Sequence, residues 1–300
     1  MKWRRAGKQD LSQLLKFLLP SEWRAVPYTS RLQKQGRISF PSSLEASVLV
    51  CREGPEIRGT LMLTSMGLLL PAFSLPAKAS PALPPGPFPG WKDLSHRLYS
   101  VMGPLEEVAW VSAQLPSSPV ATVDYHLMVR SRESFTGASR GALPGPPGLI
   151  IRTAHPRDTA GLLPLQMRYE LEEVVIDRRR HSEQICRQNL RRALRRQLVL
   201  MAEHRGKVVA KAGTNARGFD TDQIGGVFTV EEVRNSGIAF RVMEELLRRI
   251  FGEKQTACLF VKKNNLPALS LYNKLGFRIG DGYRRWSRHA QAACRCPTEP

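Results

Sequence analysis

Apolar residues along this chain follow two rhythms, every second position and every third or fourth, and the switches between them mark its elements. Residues 11–34 carry a helical spacing that Pro20 and Pro27 interrupt. Ser43–Gly54 and Ile57–Phe73 read as strands joined at Glu53-Gly54-Pro55-Glu56, an antiparallel hairpin. Gly67 bends the second run and opens a third strand. Ser74–Gly90 is dense in Pro and Gly without a period, which predicts a loop. Asp93–Met102 is spaced as a short helix and Gly103-Pro104 as a turn. Leu105–Leu115 is helical again, with Leu105, Val108, Ala109, Val111 and Leu115 facing inward. Ala121–Ser131 alternates as a strand.

Ser139–Gly148 reads as a linker, and the pattern restarts behind it. Leu149–Thr153 is a strand, and Asp158 or Thr159 caps a helix that carries Pro164 in its first turns. A second helix, Arg178–Gln197, sets Ile185, Cys186, Leu190, Ala193 and Leu194 on one stripe against many arginines. Leu198–His204 and Lys207–Gly213 form a hairpin about Arg205-Gly206. Then come a strand at Ile224–Val230, an amphipathic helix, a strand at Thr256–Lys262, a second helix and a last strand at Phe277–Trp286. A hairpin followed by one strand-helix-strand unit predicts a mixed α/β sheet, not an all-parallel one. The expected organisation is an α/β domain over 1–138, the linker 139–148, an α/β domain over 149–288 and a tail from 289 to 300.

Composition changes this picture little. The 300 residues are 42% apolar, enough for a sizeable core in each of two domains. No apolar run is long enough to span a bilayer. The basic, then apolar, N-terminus breaks at Lys16 and Pro20 and offers no small-residue cleavage site, so a cytoplasmic location is expected. Five scattered cysteines, Cys51, Cys186, Cys258, Cys294 and Cys296, fit reduced thiols. Cys294-x-Cys296 near His289 has no second ligand pair, and no metal is expected.

Charge changes it more. The net charge is +19, from 45 basic against 26 acidic residues. Such an excess suits nucleic acid, an anionic membrane surface or a phosphorylated cofactor, and equally a plain basic surface. The arginines at 178, 179, 180, 187, 191, 192, 195 and 196 are either a solvated face or a seat for an anionic partner. Few aromatics interleave with them, which argues against a single-strand stacking platform.

The candidate chemistry lies in Gln223–Phe277. A strand runs into Arg234-Asn235-Ser236-Gly237-Ile238-Ala239 and then a helix. A helix N-terminus carries unpaired N–H groups and a positive dipole end. Gly237 and Ala239 keep the turn small, so a phosphate could approach the backbone, and Arg234 adds charge or fixes the loop. The bland alternative is a plain turn with Gly at a strand-helix junction. Asn265 is placed to cap the helix after it, with Pro267 near its start. Tyr272 lies two turns along the same face. It is either a proton donor or a core residue under Phe277, while Gly276 fits a helix C-cap.

Arg234-x-x-Gly237-x-Ala239 and Asn265-x-x-Ala268-x-x-x-Tyr272-x-x-Gly276-Phe277 together resemble the GCN5-related N-acetyltransferase (GNAT) superfamily. The resemblance covers roughly residues 149–286. The N-terminal half is similar to the degenerate acetyltransferase-like module of two-domain bacterial members, on Val101–Leu115 and the strand near Val123–Val129. The resemblance implies the acyltransferase fold and transfer of an acetyl group from acetyl-CoA to an amine by direct attack in a ternary complex. It implies a pyrophosphate seat of Val230, Arg234, Asn235, Ser236, Gly237, Ile238 and Ala239, with Asn265, Ala268 and Tyr272 along the pantetheine arm. Tyr272 is then the candidate acid at the leaving sulfur and Glu231 a candidate base, beside Glu232, Glu172 and Glu173. Each of these carboxylates also reads as ordinary and solvated. Lys262 and Lys263 could reach a CoA phosphate. Two alternatives stand: a non-catalytic acyl-CoA-binding regulatory protein and a basic nucleic-acid-binding protein.

Overall fold

The strand rhythm becomes fourteen strands, and the helical rhythm seven α-helices, among the residues that the computed structural model describes: 1–34, 36–73, 96–115, 121–135, 145–174 and 181–287. The chain divides into two compact units, one running to Tyr125 and resuming at Asp281, the other running from His126 to Gly280. The break falls inside a strand. The Pro/Gly loop at 74–90, most of the linker, Arg178 to Arg180 and the tail with His289, Cys294 and Cys296 lie outside the described residues.

Unit 1 begins with β1 (Lys2–Arg5), α1 (Leu11–Leu18) and the single turn α2 (Val26–Thr29). Pro20 and Pro27 sit at the starts of new helical turns, where a missing N–H costs nothing. A short ribbon, β2 (Gln33–Lys34) and β3 (Arg37–Ile38), precedes β4 (Ala46–Glu53), β5 (Glu56–Thr64) and β6 (Leu68–Phe73). Gly67 makes the bend at φ +78°. Next come β7 (Ser100–Pro104), α3 (Leu105–Ala113) and β8 (Ala121–Ser131). The sheet of this unit runs β1-β4-β5-β6-β7 and gains a sixth strand from the end of the chain. Its core gathers Leu49, Leu61, Leu63, Leu69, Phe73, Val101, Val108, Val111 and Trp286.

Of the helix expected over Asp93–Met102, residues 93–95 lie outside the described residues and His96 and Arg97 are helical, but its end at Ser100–Met102 and the turn at Gly103-Pro104 are corrected. Ser100 to Pro104 form β7, with every residue buried. A strand buried on both sides has no alternation, so its apolar run was indistinguishable from a helix segment.

Unit 2 contains β9 (Ile150–Thr153), α4 (Thr159–Tyr169), α5 (Glu183–Arg196), β10 (Val199–His204), β11 (Lys207–Arg217), β12 (Thr221–Thr229), α6 (Ile238–Glu253), β13 (Thr256–Lys262) and α7 (Leu266–Lys274). The last strand, β14 (Arg278–Ser287), pairs with β7 from Tyr283 to Ser287 and so belongs mostly to unit 1. The sheet of unit 2 runs β8-β13-β12-β11-β10-β9; the β9–β10, β10–β11 and β11–β12 pairs are antiparallel and the β12–β13 pair is parallel. Arg205 at φ +51° and Gly206 at φ +73° close the β10–β11 hairpin as the sequence predicted.

Helix α6 packs Ile238, Phe240, Val242, Met243, Leu246, Leu247 and Ile250 into the core of this unit. On α5, Cys186, Leu190 and Leu194 are buried at i, i+4 and i+8. Ile185 is corrected: one residue round the helix from Cys186, it is 52% exposed. Glu172 and Glu173 do not lie in α4 but in a π turn, Glu170–Val174, that continues it. Among the described residues no helix is long and apolar enough to cross a membrane.

Candidate functional site

The site is built where the parallel strand pair β12–β13 of unit 2 comes apart. Strands β12 and β13 pair from Thr221 with Thr256 to Ile224 with Leu259, and the ladder goes no further. Gly225 and Gly226 follow at once on β12. The β11–β12 register slips between Lys211/Phe228 and Gly213/Gly225, so β12 bulges here, with Gly226 at φ +61°. A pair of glycines inside a strand is the sequence signal for such a bulge, and the sequence reading passed over it.

The bulge is held from one side. Lys211, 6% exposed, donates from Nζ to the Gly226 carbonyl at 2.8 Å and lies 4.4 Å over the Tyr169 ring. Tyr169 meets Phe228 edge to face at 6.1 Å, and the Arg234 guanidinium lies 5.6 Å from the Phe228 ring. Cation, ring, ring and cation thus link α4, β11, β12 and the loop before α6.

That loop has the conformation its residues allow. Val230 donates its N–H to the Val209 carbonyl at 2.9 Å, so its donor is occupied by the sheet. Glu231 and Glu232 are exposed on a 3₁₀ turn, Glu231–Val233, and Glu232 pairs with Arg168 at 3.4 Å. Asn235 at φ +61° and Gly237 at φ +81° then turn the chain through two left-handed positions. Asparagine and glycine tolerate that region best. Gly237 is the N-cap of α6, a helix of 16 residues, and no side chain caps this end. Ile238 is buried beneath the loop, while Ala239 stays partly open. Arg234 fixes the loop: its Nε donates to the Thr229 carbonyl at 3.1 Å and its Nη2 to Glu172 at 2.8 Å.

The second predicted segment lies beyond β13. The Asn265 side chain accepts from the Ala268 N–H at 3.2 Å, so it caps α7. Its amide also reaches Glu173 at 3.5 Å. Lys262 pairs with the same carboxylate at 3.0 Å, and Lys263 points to solvent as an exposed residue. The π turn therefore places Glu172 against the loop after β12 and Glu173 against the end of β13. These contacts span 62 and 89 residues of chain. Tyr272 is buried, stands edge-on to Phe277 at 6.0 Å, and belongs to the core. Burial, with the Glu173 charge adding to it, pushes its phenol well above the ordinary tyrosine range, so it keeps its proton. Gly276 at φ +79° ends α7, with the Phe277 N–H reaching the Tyr272 carbonyl at 3.0 Å.

The structure thus brings Arg234, Asn265 and Lys262 around one pair of carboxylates. It sets Glu231 apart from them, on the outer turn.

A family model described as the acetyltransferase (GNAT) family matches residues 165–277. Among solved structures, the chain is similar to a tandem GNAT protein from the clavulanic acid biosynthesis pathway. The two are 14% identical, with a TM-score of 0.58 over 96% of this chain and 98% of that one. It is similar to a Drosophila protein, 14% identical, with a TM-score of 0.62 over 96% and 98%. A GCN5-related N-acetyltransferase-like protein from Streptococcus suis is 13% identical, with a TM-score of 0.54 over 94% and 100%. At such identities the likeness is one of fold. No curated protein sequence matches the chain. Residues 165–277 thus match the acetyltransferase (GNAT) family, in a chain similar in fold to a tandem GNAT protein along nearly its whole length.

Proposed function

We propose that the protein is an N-acetyltransferase that moves an acetyl group from acetyl-CoA to an amine. The observation that carries this reading is the uncapped N-terminus of α6, reached through two left-handed residues, beside strands that part after Ile224 and Leu259. The N–H groups of the first turn of α6 offer a pyrophosphate both donors and a positive dipole end. The gap between the strands suits a narrow chain such as pantetheine, whose amides would pair with strand edges the ladder leaves open. Asn265 and Ala268 flank that path at the start of α7.

The reaction is direct attack. The neutral amine nitrogen bonds to the thioester carbon, the carbonyl becomes an oxyanion, and the carbon–sulfur bond breaks as it reforms. One proton leaves the nitrogen and one is needed at sulfur. Tyr272, held neutral by burial, would serve as a hydrogen-bond donor to the departing sulfur. Glu231 is a candidate base that a bound amine would have to approach from the exposed side. Glu173 is a rival base, already set between Lys262 and Asn265.

The test is thermal unfolding of the full chain with and without acetyl-CoA, followed by thiol release over an amine panel. A rise in Tm that Gly237→Glu abolishes, with thiol released on adding an amine, is expected. No rise in Tm would sink the cofactor reading. A rise without thiol release would leave an acyl-CoA-binding regulator.

A further inference from the structure

One cluster of chemically active side chains in unit 2 takes no part in the site above. Glu170, His181 and Cys186 bring a carboxylate oxygen, a ring nitrogen and a sulfur within 4.8 Å of one another. His181 Nε2 lies 2.9 Å from Glu170 Oε2, and both side chains are more than nine-tenths buried. Cys186 is fully buried. The three come from the first residue of the π turn, the residue before the cap of α5 and the first turn of α5. Around them the interior is apolar, with Leu162, Leu163, Leu190, Leu194 and Met201.

We propose that these three residues bind a zinc ion. The donor set is the first reason. Thiolate, imidazole and carboxylate are the ligands zinc takes, and oxygen-seeking cations reject a sulfur. Charge is the second. One thiolate and one carboxylate balance a dication, with the imidazole neutral, so the buried site is neutral when loaded.

Geometry is the third. Tetrahedral zinc at its usual bond lengths sets ligand atoms about 3.4–3.6 Å apart. The 2.9 Å His181–Glu170 pair needs to open by only about half an ångström, within side-chain rotation. Outer support is the fourth. Gln166 Nε2 donates to the other Glu170 oxygen at 2.9 Å and orients the carboxylate. The Cys186 N–H is tied to the Ser182 carbonyl at 2.9 Å, which fixes the backbone under the thiol.

Three protein ligands leave one coordination position for water. The ion would join the start of the π turn to α5 and so brace the turn that carries Glu172 and Glu173. Spacing alone hid the site: the ligands stand eleven and five residues apart with no repeated Cys or His pair.

The experiment measures metal content of the full chain, without an affinity tag, after loading with zinc and exhaustive dialysis. About one zinc per chain is expected by mass spectrometry of the metal. The Cys294→Ser/Cys296→Ser double variant should keep it, while Cys186→Ser and His181→Gln should lose it. Cobalt loading should give a thiolate-to-cobalt charge-transfer band that Cys186→Ser removes. A wild-type chain that retains no zinc overturns the proposal, whatever the variants do. Zinc that persists in Cys186→Ser, or leaves with the tail cysteines instead, also overturns it.

Discussion

Among the described residues each unit shows a parallel strand pair, and the two pairs have been put to different use. In unit 2, β12 and β13 separate after Ile224 and Leu259, and the helix that follows β12 has an open N-terminus behind Gly237. In unit 1, β6 and β7 run parallel at Leu68/Ser100 and Leu69/Val101, but further on they stay close. A side chain on Gly103 would stand 2.8 Å from Pro71. The N–H at the end of β6, on Phe73, bonds to the carboxylate of Glu107. Helix α3 opens with Glu106 and Glu107, so its positive end already faces its own carboxylates. The sequence after β6 holds six prolines between Ser74 and Gly90 and nothing like Arg234-x-x-Gly237-x-Ala239. Under the proposed function, the parted strands and the uncapped helix end are what make unit 2 the anion seat. The expected stoichiometry under that function is one acetyl-CoA per chain, held by unit 2.

The largest effect that would break this contrast is Gly237→Glu. A side chain at φ +81° is strained, and a carboxylate would face the pyrophosphate. Acetyl-CoA affinity should fall about a thousandfold, or ~4 kcal/mol, by calorimetry, with the fold retained by circular dichroism. Residual binding near the wild-type value would mean that the seat lies elsewhere, in unit 1 if Glu107→Gln then weakens it.

Glu107 gives the next effect, on stability. Burial raises its carboxyl to about 8, against the pull of Arg24. The folded state then binds a proton that the unfolded chain releases, so the protonated form favours folding below pH 4.5 and this contribution fades as pH rises to 8. Glu107→Gln, which stays neutral, should gain on the wild type over that window, by on the order of 3 kcal/mol at pH 8. Equal Tm differences at pH 5 and pH 8 would contradict a buried carboxyl that stays protonated in the fold.

Tyr272→Phe should lower kcat on the order of thirtyfold and leave acetyl-CoA affinity unchanged, because only the hydroxyl is lost from a packed ring. Unchanged kcat would return Tyr272 to the core alone. In unit 1, Asp10 is held down to about 2 by hydrogen bonds from Arg4, opposed by burial and aided by the Gly7 N–H and Arg52. Its contribution is present above pH 4 and lost as pH falls through 2. Asp10→Asn should cost about 1–2 kcal/mol at pH 7, a difference that closes in acid, with acetyl-CoA affinity untouched.

Local features of this chain were legible in its sequence. Arg205-Gly206 gives a two-residue hairpin, Asn265 a cap and Gly276 a left-handed helix end, because each acts within a few residues. Gly237 was legible for the same reason. Strand β7 was not, since burial on both sides erases the alternation that marks a strand. The roles of Lys211, Glu172 and Glu173 were hidden too. Lys211, within the strand expected at Lys207–Gly213, reaches the Gly226 carbonyl on the next strand. Such contacts depend on which strands become neighbours, and no spacing along the chain encodes them.

The smallest effect sharpens the comparison most, because it asks whether the open helix end of unit 2 is guarded. Glu172 pairs with Arg234 at 2.8 Å, and both side chains are about two-fifths exposed. An exposed pair is worth little in itself, about 0.5–1 kcal/mol. A pyrophosphate at the start of α6 would nevertheless compete with Glu172 for that guanidinium. Removing the charge in Glu172→Gln should raise acetyl-CoA affinity about threefold at low salt, with the gain shrinking as screening grows. Arg234→Ala should lower it by about tenfold, and the double variant should match Arg234→Ala alone, since Glu172 then has nothing to withhold. If Glu172→Gln instead weakens binding, the carboxylate is needed to hold Arg234 in place, and the loop rather than the arginine's charge makes the seat.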